Sequence, residues 1–500
     1  MDFAFLNASI QTELGPPEDP WLRGEQVSYY YFGYWMMGVI SQLAGVASNI
    51  SYNLSLALIP AMAAMGIFGL VFNVVRAEAI RWRYALVGGV AAAVLMGVVA
   101  NLEGVLEFMR LNGMGSLRFW DWIRIDQLDG SSLGPAESWI PQEFWWWFRA
   151  TRVINVFQGG QGMDYTIQEF PFFSFMLGDL HPHVMSIPFA VLFLGLCWNF
   201  MSSPVHVWTK FKLQSYASVF VMGLALGGLA FTNMWDLPTY AALFLSLAFL
   251  KTYSAQGAGT WTLVKGVLPI GVVVIGLAFL LFLPYYLTFN SSVTGIDPVV
   301  TATTRPIHLF IVWGLYLVAV TPFIVAMFWQ TTIRHDWRRS TTIALLVWFV
   351  PYLVWGYLHL EGGGITADLW VRLVHVLPFG ILISMAVYSA LWVVKERGLT
   401  GAVFALVMSA LGLLLIMGPE LLFVVDSFGT RMNTVFKLYY QAWILLAVAS
   451  GFTLYYWSSL RERLPSWRRS LTTLWAGVFI VLLAGSLYYA PAAAGSKGDL

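Results

Sequence analysis

Charge is scarce in this 500-residue chain. Lys, Arg, Asp and Glu make up 11% of it and balance to +1, so there is no basic footprint of the kind nucleic acid demands. Cysteine is scarcer still. Cys197 stands alone, which excludes an intrachain disulfide framework and any metal site built from clustered cysteines. No phosphate-cradling P-loop is written in the chain, and no repeat relates its two halves as inverted-repeat transporters require. What fills the space is apolar. Hydrophobic residues make up 59% of the chain and its mean hydropathy is +0.71. A soluble core of this size could not hide that much apolar surface. Runs of about 18 or more apolar residues recur, each long enough to cross ~30 Å of hydrocarbon. The expectation is an all-α, polytopic transmembrane helical bundle.

Twelve spans are expected, at 52–75, 84–101, 182–200, 214–232, 237–253, 266–286, 307–328, 341–359, 374–394, 401–423, 438–458 and 471–490. The connections 76–83, 201–213, 251–265, 329–340, 395–400 and 459–470 hold sixteen of the 27 Lys and Arg. The positive-inside rule makes them cytoplasmic. The longer segments 1–51 and 102–181 then face outside, and 491–500, "APAAAGSKGDL" from its preceding Ala, reads as a linker-like tail. Within 1–51, the stretch 29–48 is short, polar in places and opens on a tyrosine cluster. It is read as an amphipathic helix in the outer interface; as a thirteenth span it would reverse residues 1–28. Residue 1 lies outside with no span before it, so a fragment lacking an N-terminal membrane helix is expected.

Polar residues that do chemistry collect on the outer side. "EFPFFSFMLGDLHPHVMSIPF" places Glu169, Asp179, His181 and His183 at the mouth of a span. Two imidazoles and an acid suit a divalent metal ion held by Asp179, His181 and His183, contact with a phosphate, or acid–base work. Pro182 suits a first helical turn, and Asp179 before it also suits a plain helix cap. Arg149 and Arg152, three apart beside "WWWF", would share a helical face fit for a phosphate, or would snorkel to lipid headgroups. Asp236 in "FTNMWDLPTY", Arg431, Asn433 and Lys437 in "RMNTVFKLYYQAW", and Tyr30 of the tyrosine cluster complete the substrate-binding candidates. Charges within the apolar runs are few, which suits a scaffold with an outer cavity better than an ion pump.

"MDFAFLNA", "PPEDPWLRGEQVSYYYFGY", "EFPFFSFMLGDLHPH", "FTNMWDLPTY" and "RMNTVFKLYYQAW" resemble the YYY-domain family of highly hydrophobic bacterial and archaeal membrane proteins, whose function is unknown. Its usual pattern puts a membrane helix before the first block, in line with the fragment reading. Through its layout the family in turn resembles the GT-C superfamily of integral-membrane glycosyltransferases. That resemblance implies a first outer loop, here 1–51, carrying an acid and interfacial helices. It implies a sugar taken from a polyprenyl-phosphate donor at the extracytoplasmic face of the plasma membrane. The carried-over catalytic carboxylate is Asp2, with Glu13, Glu18 and Asp19 in the same loop as weaker claimants. Asp179, His181 and His183 join Asp2 as catalytic candidates. Membrane lipid and a lipid-linked sugar donor are the expected partners. The competing expectations are a lipid-linked sugar or small-molecule transporter or flippase, and a non-catalytic subunit of a membrane assembly.

Overall fold

A computed structural model describes residues 1–13, 15–79, 81–128, 138–158, 161–203, 213–256, 259–291, 293–300, 303–333, 337–460 and 465–498. The basic residues Lys210, Lys212, Arg334, Arg461 and Arg463, counted above as cytoplasmic, lie outside these. The helices in chain order are α1 (Asp2–Gln11), α2 (Phe32–Ala44), α3 (Ser48–Arg76), α4 (Trp82–Gly97), α5 (Glu103–Leu111), α6 (Leu117–Ile123), α7 (Pro171–Leu177), α8 (Pro182–Met185), α9 (Ile187–Ser202) and α10 (Leu213–Thr232). They continue as α11 (Asp236–Gln256), α12 (Thr260–Leu280), α13 (Leu283–Thr288), α14 (Pro306–Trp329), α15 (Trp337–Glu361), α16 (Thr366–Arg397), α17 (Gly401–Met417), α18 (Met432–Leu460) and α19 (Ser466–Lys497). Each expected span overlaps one or two of them.

Among the described residues, nine helices are long and apolar enough to cross a membrane. Trp82–Gly97 and Tyr216–Thr232 are apolar but shorter. α11 stands outside the nine, with Asp236 opening it and Lys251 near its end. Helices of high hydropathy are left largely exposed: the most apolar 18-residue window of Trp261–Leu280 is 28% buried at a mean hydropathy of 2.4, and that of Ser48–Arg76 33% buried at 2.2. A hydrocarbon solvent removes that exposure from water. The protein is a predominantly helical membrane protein.

Two expected spans are interrupted. The stretch 266–286 breaks where Pro284 opens the short α13, because a proline ring clashes with the preceding turn and fixes a new start. The stretch 401–423 leaves the helix at Gly418–Glu420, and Leu422–Val425 becomes a strand, β2, antiparallel to β1 at Gly295–Pro298. The segment 29–48 holds the thirteen-residue α2, about 20 Å long at 1.5 Å per residue.

The chain divides into two compact units. The first comprises Met1–Glu78, Leu177–Ser292 and Val393–Phe404; the second comprises Ala79–Met176, Val293–Trp392 and Ala405–Leu500. In the first, α1 and α2 pack on each other and on α3, and α3 packs on α9. Gly33 lets α2 approach α8, since a Cβ there would meet the Met185 side chain at 2.5 Å. At the basic end, the Lys251 ammonium donates to the carbonyls of Phe200 and Ser203, closing α9, and Lys395 donates to that of Tyr253. In the second unit, α18 is the centre, flanked by α4 and α14, with α19 against α14 and α5.

Candidate functional site

The first unit gathers residues from three distant stretches around Asp2. This acid opens α1 and is 3% exposed. The Tyr34 hydroxyl of α2 donates to its Oδ1. The His181 ring approaches from before α8, its Nδ1 lying 3.7 Å from Asp2 Oδ1 and 3.9 Å from Asp179 Oδ2. The Tyr29 Oη sits 3.2 Å from His181 Nε2. Next door, the Leu180 amide donates to Tyr52 Oη at 3.3 Å. Phe5, one turn along α1, stacks on Tyr29 with centroids 5.6 Å apart and leans on Tyr34 at 5.4 Å, fixing both phenols.

Burial alone would raise the Asp2 pKa. The polar neighbours His181, Asp179 and Tyr34 outweigh it and hold the carboxyl well below the usual range. Asp2 is therefore an anion at neutral pH. Burial first, and then the Asp2 charge, pushes the Tyr29 and Tyr34 phenols upward, so both keep their protons. Burial and the Asp236 charge push Tyr30 up to about 12.

Six of the twelve expected site residues belong to this unit: Asp2, Tyr30, Asp179, His181, His183 and Asp236. Tyr30 stacks on Phe289 at 5.6 Å. Asp236 is buried at the start of α11. Beside it in the chain, Asn233 is 2% exposed and its Oδ1 has no hydrogen-bond partner among the described residues. Two expectations change here. The cap residue of α8 is His181, which makes no side-chain cap bond, so Asp179 is not the helix cap that its place before Pro182 suggested. The residues positioned as a ligand set also differ. Among the described residues, Asp2, Asp179 and His181 each offer a ligand atom within 4.8 Å of the others. His183 is buried with its ring 5.1 Å from that of His181, and it stands outside the set. Geometry therefore puts Asp2 where the sequence suggested His183.

The other six, Arg149, Arg152, Glu169, Arg431, Asn433 and Lys437, belong to the second unit. Arg149 and Arg152 do not present one paired face. Arg149 binds both Glu107 oxygens, at 2.6 and 3.1 Å, and Glu143 at 2.6 Å and the Gln127 carbonyl at 3.2 Å. Arg152 lies 4.4 Å over the Phe148 ring and donates to Thr151, with Glu169 as its nearby charge. Ser174 donates to Glu169 at 3.4 Å. The reason is local. Trp146–Thr151 is a 3-10 turn, and the carboxylates of α5 draw Arg149 away.

Arg431 is 2% exposed. Its Nε and one NH2 nitrogen bind Asp164 Oδ2 at 2.7 and 2.6 Å, and its remaining hydrogens go to Glu420 (2.7 Å), the Pro419 carbonyl (3.2 Å) and Thr304 (3.2 Å). A guanidinium has five N–H donors, and all five are used, so none remains for a phosphate. His375 reaches the same Glu420 at 3.1 Å. Asn433 donates to Asp426 at 2.6 Å, and Lys437 lies 4.2 Å over the Phe436 ring.

Tyr29 and Tyr34 were not singled out in the sequence, although "YYYFGY" spelled them. An aromatic run at an interface looks the same whether its hydroxyls face lipid headgroups or a carboxylate. The buried acids Glu103, Glu107, Asp164 and Glu420 carried no sequence signal beyond their rarity.

No curated protein and no solved structure matches the chain. A family model, described as uncharacterized membrane protein (DUF2298), matches residues 1–446. That match spans most of the chain, and the protein belongs to this family of membrane proteins.

Proposed function

We propose that this protein is a GT-C-like glycosyltransferase of the plasma membrane, with twelve spans and its site on the extracytoplasmic face. It moves a sugar from a polyprenyl-phosphate donor to an acceptor hydroxyl. One observation carries the reading: a buried Asp2 is held by Tyr34 beside His181 and Asp179, in a unit whose adjoining wall is aromatic. The acceptor O–H gives its proton to the Asp2 carboxylate as its oxygen bonds to the anomeric carbon. The bond from that carbon to the phosphate oxygen breaks, and the lipid phosphate departs with the electron pair. His181, donating from its ring, stands beside the reacting carboxylate and steadies the developing phosphate charge. Arg149 and Arg431 are left out of this step because carboxylates already occupy them. The ring faces of Tyr29 and Tyr30 suit a sugar plane.

Incubating the full-length protein in membranes with labelled lipid-linked sugars tests the reading. Asp2→Asn should lower transfer at least 100-fold with expression and membrane insertion intact. Transfer at the wild-type rate in that variant removes Asp2 from the chemistry. Absence of transfer by the wild type, with passage of the lipid-linked sugar across the bilayer instead, would replace the reading with a transporter.

A further inference from the structure

We infer that Asp2, Asp179 and His181 bind one divalent cation, through a carboxylate oxygen of each acid and Nδ1 of the imidazole. The separations carry the inference. His181 Nδ1 stands 3.7 Å from Asp2 Oδ1 and 3.9 Å from Asp179 Oδ2, too far for a direct hydrogen bond. Two ligands each about 2.1 Å from a shared ion lie roughly 3.4 Å apart at tetrahedral angles and further apart as the angle opens. The gap is the size an ion fills. Two other histidine–acid pairs among the described residues show what no gap looks like: His359 Nε2 is 2.9 Å from Asp368, and His375 Nε2 is 3.1 Å from Glu420. Each is an ordinary hydrogen bond with no room for a third party.

The surroundings orient all three groups. With Nδ1 turned to the ion, Nε2 carries the ring proton and donates it to Tyr29 Oη at 3.2 Å. That outer hydrogen bond fixes tautomer and ring plane, as it does at known imidazole–metal sites. Tyr34 holds the Asp2 carboxylate in the same way. A dication also suits two carboxylates with oxygens within 4.8 Å of one another, one of them 3% exposed. Three protein ligands leave coordination positions open, and the Asp179 and His181 side chains, 44% and 28% exposed, leave a path to them. One imidazole nitrogen with two carboxylate oxygens favours Mn²⁺ or Zn²⁺ over Ca²⁺ or Mg²⁺.

The inference concerns the site of the proposed transfer but is read from ligand geometry, so the two fail separately. The test titrates Mn²⁺ into the purified, EDTA-stripped full chain in detergent, reading bound ion by electron paramagnetic resonance and stoichiometry by elemental analysis. One ion per chain is expected. Asp2→Asn, Asp179→Asn and His181→Ala should each weaken binding at least 100-fold, and Tyr29→Phe about 10-fold. His183→Gln should change it less than about twofold. Wild-type affinity in His181→Ala or Asp2→Asn overturns the assignment, as does a loss in His183→Gln equal to that in His181→Ala. Should Asp2→Asn fail to purify as a single species, Asp179→Asn and His181→Ala, at the more exposed positions, decide alone. Failure of the wild type to bind Mn²⁺ in the titration, with sugar transfer intact, sinks this inference and leaves the transferase reading standing.

Discussion

The Asp2 cluster of the first unit and the Arg431 and Arg149 networks of the second are made of the same residue types, yet they are finished differently. In the second unit every strong donor of Arg431 meets an oxygen, and Glu420 is shared among Arg431, Thr304 and His375. Around Arg149 the charges balance once Glu103 is neutral. Arg149 and Arg110 face Glu107 and Glu143, while burial, and next the Glu107 charge, pushes the Glu103 carboxyl well above the usual range. Such closed networks exchange water for fixed partners and hold loops in place. Around Asp2, by contrast, the His181 imidazole stands 3.7 and 3.9 Å from the two carboxylates, and the Asp179 and His181 side chains are 44% and 28% exposed. A buried charge whose partners are complete is doing structural work; one whose partners leave a gap is available to a ligand.

The comparison can be broken most sharply at Arg431. Arg431→Met should leave Asp164 and Glu420 buried without a counter-charge and destabilise the protein by about 3–5 kcal/mol, read as a fall in the melting temperature of the detergent-solubilised chain. A change below about 1 kcal/mol would mean the network is not closed as described.

A paired substitution sharpens the Arg149 network. Glu107→Gln removes the two-pronged partner of Arg149 and should cost about 3 kcal/mol. Glu103→Gln replaces a group already neutral when folded and should cost under about 0.5 kcal/mol at neutral pH. Because the folded pKa of Glu103 is raised, the stability it lends is whole below the unfolded value of about 4.3 and shrinks as pH rises above it. Glu103→Gln should therefore flatten the decline in melting temperature above that pH. An unchanged profile would count against a protonated Glu103.

The smallest effects belong to the open cluster. Tyr34→Phe loses a hydrogen bond to a charged group and should cost about 1.5–3 kcal/mol. Tyr29→Phe loses its hydrogen bond with the His181 ring and should cost about 1 kcal/mol, with more visible effects on ligand affinity than on melting. If Tyr29→Phe destabilised the protein as much as Arg431→Met, the Asp2 cluster would have to be reclassified as another closed network.

How far the sequence reached varies by element. Apolar runs located the nine helices that, among the described residues, are long and apolar enough to cross a membrane, because length and hydropathy are properties of a contiguous stretch. The break of 266–286 at Pro284 was not foreseen, and the strand at Leu422–Val425 was missed: an apolar β-branched run reads alike as span end or strand until its partner at Gly295–Pro298 is known. Of the site, Asp179 and His181 were legible as polar residues at a span mouth. Asp2 came only through resemblance, and Tyr29 and Tyr34 were hidden in an aromatic run. Arg149 and Arg431 were read as phosphate ligands, since the sequence displays a cation but not the acids that occupy it.

By itself, the sequence determined that this is a helical membrane protein and where its helices lie, since hydrocarbon imposes a length and a polarity on every span. Only the tertiary structure decided which charges are satisfied. Arg431 meets Asp164 across 267 positions, and Tyr29 meets His181 across 152. Whether a buried group is closed or left open depends on distances of a few tenths of an ångström between such remote residues, and no local pattern encodes them.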